Sequence, residues 1–107
     1  MLSKKNRATT KEVERIFKEG RFVVSSNLTF KYFKNDRKSI KISFIAPKNV
    51  AKLAVKRNLL RRRGYSALKK YIDLFPAGTI GVFVFKKYQD DVLILEDEIQ
   101  NILSKIN

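Results

Sequence analysis

Two of the side chains most used in enzyme chemistry are missing, since the 107-residue chain contains neither cysteine nor histidine. Their absence removes disulfides, thiolate nucleophiles, imidazole bases and the usual zinc ligand sets together. What remains for catalysis by this chain is carboxylate or lysine chemistry, and any metal on it would have to sit on carboxylates. Acids are themselves scarce, 10 against 24 Lys and Arg. They gather at Asp90, Asp91, Glu96, Asp97 and Glu98, around the first half of a C-terminal helical pattern, where the helix dipole favours acids whatever their function. Long apolar runs are also absent, none approaching the roughly 18 residues of a membrane span. The N-terminal MLSKKNRATT lacks the apolar stretch of about 7 to 15 residues that a secretory signal requires. No membrane partner and a cytoplasmic address are therefore expected.

What is present is positive charge. The net charge is +14 and the pI about 10.3, the electrostatic footprint of a polyanion binder in a domain of this size. Residues 1–70 hold 21 of the 24 bases and only 4 of the 10 acids, so the field belongs to the N-terminal two thirds. The length allows one modest core. The chain is expected to be a single polyanion-binding domain over residues 1–107, with residues 1–8 a flexible basic N-terminus.

The organising stretch is residues 48–65, KNVAKLAVKRNLLRRRGY. Seven bases, Lys48, Lys52, Lys56, Arg57, Arg61, Arg62 and Arg63, are threaded through apolar residues with Asn58 among them and no acid. At about 3.6 residues per turn, Val50, Leu53, Ala54 and Leu60 share one side, which predicts a helix packed on a core. The arc extends through Ala67, Leu68, Tyr71 and Ile72. Gly64 lies on it, so either the helix bends there or another backbone packs closely. Arg57 and Arg61, stacked four apart, border the packed face, which implies an anionic partner. Asn58, able to donate and accept, is expected to take a mixed role, fixing the helix against a loop and bonding the anionic partner.

Around this stretch the chain reads in order. Thr9 and Glu12 have capping-box spacing, which predicts a helix from Thr10 to Glu19 with Val13, Ile16 and Phe17 as its stripe and Gly20 as a left-handed end. Two strands follow within 21–33, divided at Ser25-Ser26-Asn27. Residues 40–46 form the next strand, closed by Pro47 and expected to pair with the preceding one as a hairpin. After a turn at Pro76-Ala77-Gly78, the nearly continuous apolar run TIGVFVF predicts a strand covered on both faces or central in its sheet. A last helix spans residues 92–106. The order α-β-β-β-α-β-α makes an α+β two-layer sandwich.

The aromatics divide between core and site. Phe22, Phe30, Phe44, Phe83 and Phe85 are expected in the core, while the pattern does not demand burial of Phe33, Tyr65 and Tyr88. Alternation sends Leu28, Phe30 and Tyr32 to the core face and leaves Lys31 and Phe33 on the open face, where a cation and a ring can hold a phosphate and stack a base.

The helix ending Val13, Ile16, Phe17, Gly20, the strand ending Phe44-Ile45-Ala46-Pro47-Lys48 and above all Ala54-Val55-Lys56-Arg57-Asn58-Leu59-Leu60-Arg61-Arg62 resemble the protein component of bacterial ribonuclease P over nearly the whole chain. The resemblance implies the fold of a ribosomal protein domain with a left-handed βαβ crossover, an exception to the usual handedness. It also implies a subunit that joins a catalytic RNA and assists removal of the 5′ leader from precursor tRNA. The RNA then carries the chemistry and its Mg2+, no catalytic residue lies in the protein, and no protein partner is required. Lys48, Lys52, Lys56, Arg57, Asn58, Arg61, Arg62 and Arg63 become the RNA-binding set. Val13 and Phe17 match family positions at a leader cleft shared with Lys31 and Phe33, although Phe17 is equally explained by core packing. The chain departs from the family pattern at Leu59, where Lys56 and Arg63 are the available substitutes, and at Gly64-Tyr65-Ser66, where many members continue Leu-Arg-Glu. A structural RNA-binding protein of ribosomal type and a carboxylate-dependent nuclease are the competing classes.

Overall fold

In a computed structural model describing residues 7–106, the elements follow the expected order: α1 (Thr10–Glu19), β1 (Arg21–Val24), β2 (Leu28–Lys34), β3 (Lys41–Ile45), α2 (Ala54–Lys69), a short 3-10 turn (Ile72–Leu74), β4 (Thr79–Phe85) and α3 (Val92–Ile106). The capping box forms as its spacing predicts, with the Glu12 N–H donating to Thr9 Oγ1 at 3.2 Å and the Thr9 N–H to Glu12 Oε1 at 2.8 Å. Gly20 closes α1 differently from expectation, in extended rather than left-handed backbone (φ −72, ψ 153). Glycine is needed there for close approach, because a Cβ would collide with the carbonyl of Ile16, which accepts the Gly20 N–H at 2.8 Å.

The described strands form one mixed sheet in the order β1-β2-β4-β3. β2 is antiparallel to β1 and β4, whereas β3 runs parallel to β4 and reaches it through α2. The hairpin expected between β2 and β3 therefore does not form. β4 takes the place between them because both of its faces are apolar and its residues are nearly all buried, and only a central position covers both.

Alternation gives the sheet two unlike faces. One carries Leu28, Phe30, Ile42, Phe44, Phe83 and Phe85 into the main core, with Leu60, Ala67 and Leu68 of α2 and Leu95, Ile99 and Ile102 of α3. The other carries Ile80 and Val82, which pack with Ile16 of α1. So α2 and α3 form the helical layer, and α1 lies across the opposite face over β2 and β4.

The basic helix begins later than expected. Residues 48–53 are turn and loop, with the Val50 and Ala51 N–H groups donating to the Pro47 carbonyl at 3.0 and 3.2 Å. Leu53 and Ala54 are exposed, and the buried side of α2 is Leu60, Gly64, Tyr65, Ala67 and Leu68. At Gly64 the helix runs on unbroken, and the close neighbour is a ring rather than a backbone: a Cβ would stand 2.5 Å from Phe44 Cδ2. Two aromatic expectations reverse. Phe22 is 67% exposed on the edge strand β1. Tyr65 is core, its hydroxyl accepting the Phe44 N–H at 3.2 Å.

Glu98, buried on α3, holds the β1–β2 turn. It accepts from Ser25 Oγ, from the Asn27 N–H at 2.6 Å and from Asn27 Nδ2 at 2.7 Å. Among the described residues no helix is long and apolar enough to cross a membrane.

Candidate nucleic-acid interface

α2 has no side-chain cap at its N-terminus and no acid in its first turn. The loop before it is closed instead by Arg57, whose Nη1 donates to the carbonyls of Ala51 at 3.0 Å and Lys52 at 2.7 Å. Arg57, placed in the RNA-binding set from sequence, is thus occupied in shaping the helix entrance. Asn58 does not tie the helix to a loop; its Oδ1 accepts from Arg61 Nη2 one turn on. Lys48, Lys52, Lys56, Arg62 and Arg63 are exposed. Lys48, Lys52 and Lys56 stand at the uncapped positive end of the α2 dipole, an arrangement suited to phosphates, and Arg62 and Arg63 extend the basic flank along the helix.

Beside this flank, Arg7, Val55, Asn58, Arg61, Arg62 and Tyr65 line an open hollow of about 470 Å³. Arg7 enters it from the N-terminal segment, with its guanidinium 4.9 Å from the Tyr65 ring centroid. Ala8 is held by its N–H to Ser43 Oγ at 2.9 Å and packs against the Ile16, Ile80 and Val82 cluster. Arg7 and Ala8, the end of the terminus expected to be flexible over residues 1–8, make these contacts; residues 1–6 lie outside those described. Nothing local marks Arg7 for this position, because its contacts are made to residues far along the chain. Leu59, half-buried, lines a shallow hollow with Arg62, Arg63 and Ser66.

The expected cleft residues lie on the other side of the sheet. Val13 and Phe17 come from α1, and Lys31 and Phe33 from the β2 positions facing it. Lys31 Nζ sits 4.6 Å from the Phe17 ring centroid, and Phe17 is 49% exposed. Phe17 is therefore available to a ligand and is not a core residue. Phe33 differs. Its ring is covered by Arg15, with the guanidinium carbon 4.4 Å from the centroid, and it packs against the α1-side cluster. A groove beside it is lined by Lys11, Glu12, Arg15, Asn35, Asp36 and Arg37. The structure thus joins Phe17 to Lys31, withdraws Phe33, and separates all four from α2 by the thickness of the sheet.

Among the described residues no three carboxylates converge, and Glu98 is spent on the β1–β2 turn.

A family model described as Ribonuclease P matches residues 2–107. Among curated proteins no sequence matches. The fold is similar to that of the RNase P protein from Staphylococcus aureus, at a TM-score of 0.80 and 15% identity, covering 98% of this chain and 97% of that one. A mutant Staphylococcus aureus RNase P protein with defective mRNA degradation activity gives 0.81 at 16% identity over 94% and 87% of the two chains. The RNase P protein from Thermotoga maritima gives 0.81 at 19% identity over 94% and 97%.

Proposed function

The chain belongs to the ribonuclease P protein family, and from that premise we propose how its two surfaces divide the work. As the protein subunit it takes part in tRNA processing and associates with the ribonuclease P RNA. In our reading α2 and the loop before it grip that RNA through Lys48, Lys52, Lys56, Arg61, Arg62 and Arg63, with Asn58 holding Arg61 in place and Arg57 holding the entrance loop. The face beneath α1, with Val13, Phe17 and Lys31, receives the single-stranded 5′ leader of precursor tRNA. The RNA supplies the hydrolytic chemistry and its magnesium ions, the protein acts in the cytoplasm, and no second protein is needed.

The observation that carries this reading is the opposition of a base-rich, exposed helix flank to an exposed ring and cation on the far side of the same sheet. Counterion release from phosphates gives the first surface affinity without sequence. Stacking gives the second a preference for unpaired nucleotides of any identity. The protein thereby bridges enzyme RNA and substrate while performing no bond-breaking step. The test is cleavage of precursor tRNA at low magnesium by protein alone, by catalytic RNA alone and by both. Cleavage restored only by the combination supports the reading; cleavage by RNA-free protein overturns it in favour of a self-sufficient nuclease, and RNA binding without any effect on leader removal would leave a structural RNA-binding protein.

A further inference from the structure

We propose that Phe22 is a stacking platform for a leader nucleotide, one strand further from α1 than the Phe17 and Lys31 pair. This deepens the leader-binding reading and rests on it. Phe22 is directly opposite Lys31 in the β1–β2 register. The Ser25 N–H donates to the Leu28 carbonyl at 2.8 Å. That marks a bonded pair, and alternation from it makes Phe22 and Lys31 a non-bonded pair, the kind in which facing side chains approach most closely. Both therefore stand on the face that α1 covers mainly over β2 and β4.

Phe22 is the most exposed phenylalanine of the described residues, at 67%, and Val24 beside it on the same face is 41% exposed. The ring is open to a ligand on an edge strand beside Lys31, and the charge of the chain, +14, favours a polyanion. Single-stranded RNA supplies both a flat base for the ring and a phosphate for Lys31. Phe33, the other ring of this face on β2, is already covered by Arg15. The platform is also fixed in advance. Glu98 pins the β1–β2 turn, Lys86 Nζ donates to the Ser25 carbonyl at 3.1 Å, and Lys105 Nζ reaches the Val24 carbonyl at 3.5 Å. A nucleotide stacking there meets a strand already ordered, so little freedom is lost on binding.

The chain has no tryptophan, so Phe22→Trp introduces its only indole. The experiment uses this variant, Phe22→Ala and Phe22→Tyr, each reconstituted with the catalytic RNA and given precursor tRNA with a leader of one nucleotide or of several. Circular dichroism first verifies that each variant is folded. Indole emission is expected to quench with the long leader and not with the short one. The long-to-short affinity ratio is expected to fall at least about fivefold in Phe22→Ala, the weak end of base stacking, and to be kept by Phe22→Tyr. If the wild-type protein discriminates leader length but Phe22→Ala keeps the full ratio and the indole is silent, this inference is overturned and the leader reading stands. If the wild-type protein does not discriminate leader length, the leader reading itself fails and Phe22 loses its role with it.

Discussion

Gly64→Ala sets two known effects against each other, and the structure decides which wins. On helix propensity alone the change should stabilise α2 by about 1 kcal/mol. The new Cβ, however, would stand 2.5, 2.6 and 2.9 Å from Cδ2, Cε2 and Cγ of Phe44. Cγ is the root of that ring, so rotating the ring's far edge away gives no relief. Phe44 is 3% exposed, stacks on Phe83 with centroids 4.9 Å apart, and meets Tyr65 edge-on at 5.1 Å. With the ring held on two sides, relief has to come from moving α2 away from β3, and overpacking of this kind costs about 1 to 3 kcal/mol. The upper part of that range applies, leaving a net loss of about 1 to 2 kcal/mol. Urea denaturation of the wild type, Gly64→Ala, Phe44→Leu and the double variant measures it. In the Phe44→Leu background the alanine is expected to become neutral or stabilising, because the obstructing ring is gone and the propensity gain survives. A Gly64→Ala protein as stable as wild type or more so would refute the packing argument.

Glu98→Ala strands the N–H and Nδ2 of Asn27 at the β1–β2 turn and leaves Ser25 Oγ only the Leu28 carbonyl as acceptor. A loss of about 3 kcal/mol is expected from calorimetry, and about 1 kcal/mol for Glu98→Gln, which keeps one acceptor. Arg57→Ala should lower stability by about 1 to 2 kcal/mol through the freed Ala51 and Lys52 carbonyls, whereas exposed Arg62→Ala should leave the denaturation midpoint in place. Equal midpoints for these two variants would remove the structural role assigned to Arg57.

Much of this molecule was legible because its determinants are local. The Thr9 and Glu12 spacing, the alternation in β2 and the apolar run of β4 each act within a few residues, and they led to α1, to the two faces and to a central strand. The Arg57-Asn58 and Arg61-Arg62 pattern carried the family. What was missed depends on contacts distant in sequence. Val50 and Leu53 continue a helical apolar arc, yet α2 starts only at Ala54, where Arg57 folds back on the loop. The β2–β3 pairing lost to β4 because an interior place for β4 buries more apolar surface than a hairpin does. Phe22 looked like core because no local rule says that α1 packs mainly over β2 and β4 and leaves the edge strand β1 open. Its register could have been found from the short Ser25 to Leu28 turn, which already sets Phe22 opposite Lys31. Arg7 and Glu98 gave no local signal, since each acts on residues remote along the chain.

The central claim, that catalytic RNA and leader are held on opposite faces of one sheet, is tested most directly by a dissociation of the two bindings. Titrations with catalytic RNA over a range of salt, and of the reconstituted enzymes with long-leader and short-leader precursors, should compare an Arg62→Ala, Arg63→Ala protein with a Phe17→Ala, Lys31→Ala protein. The first is expected to lower the salt slope of RNA binding by up to about two units and to keep the long-to-short leader preference once saturating RNA is supplied. The second is expected to lose that preference while its RNA salt slope changes by less than about one unit. Loss of both properties together in either protein would contradict a two-faced division and place RNA and leader on a single surface.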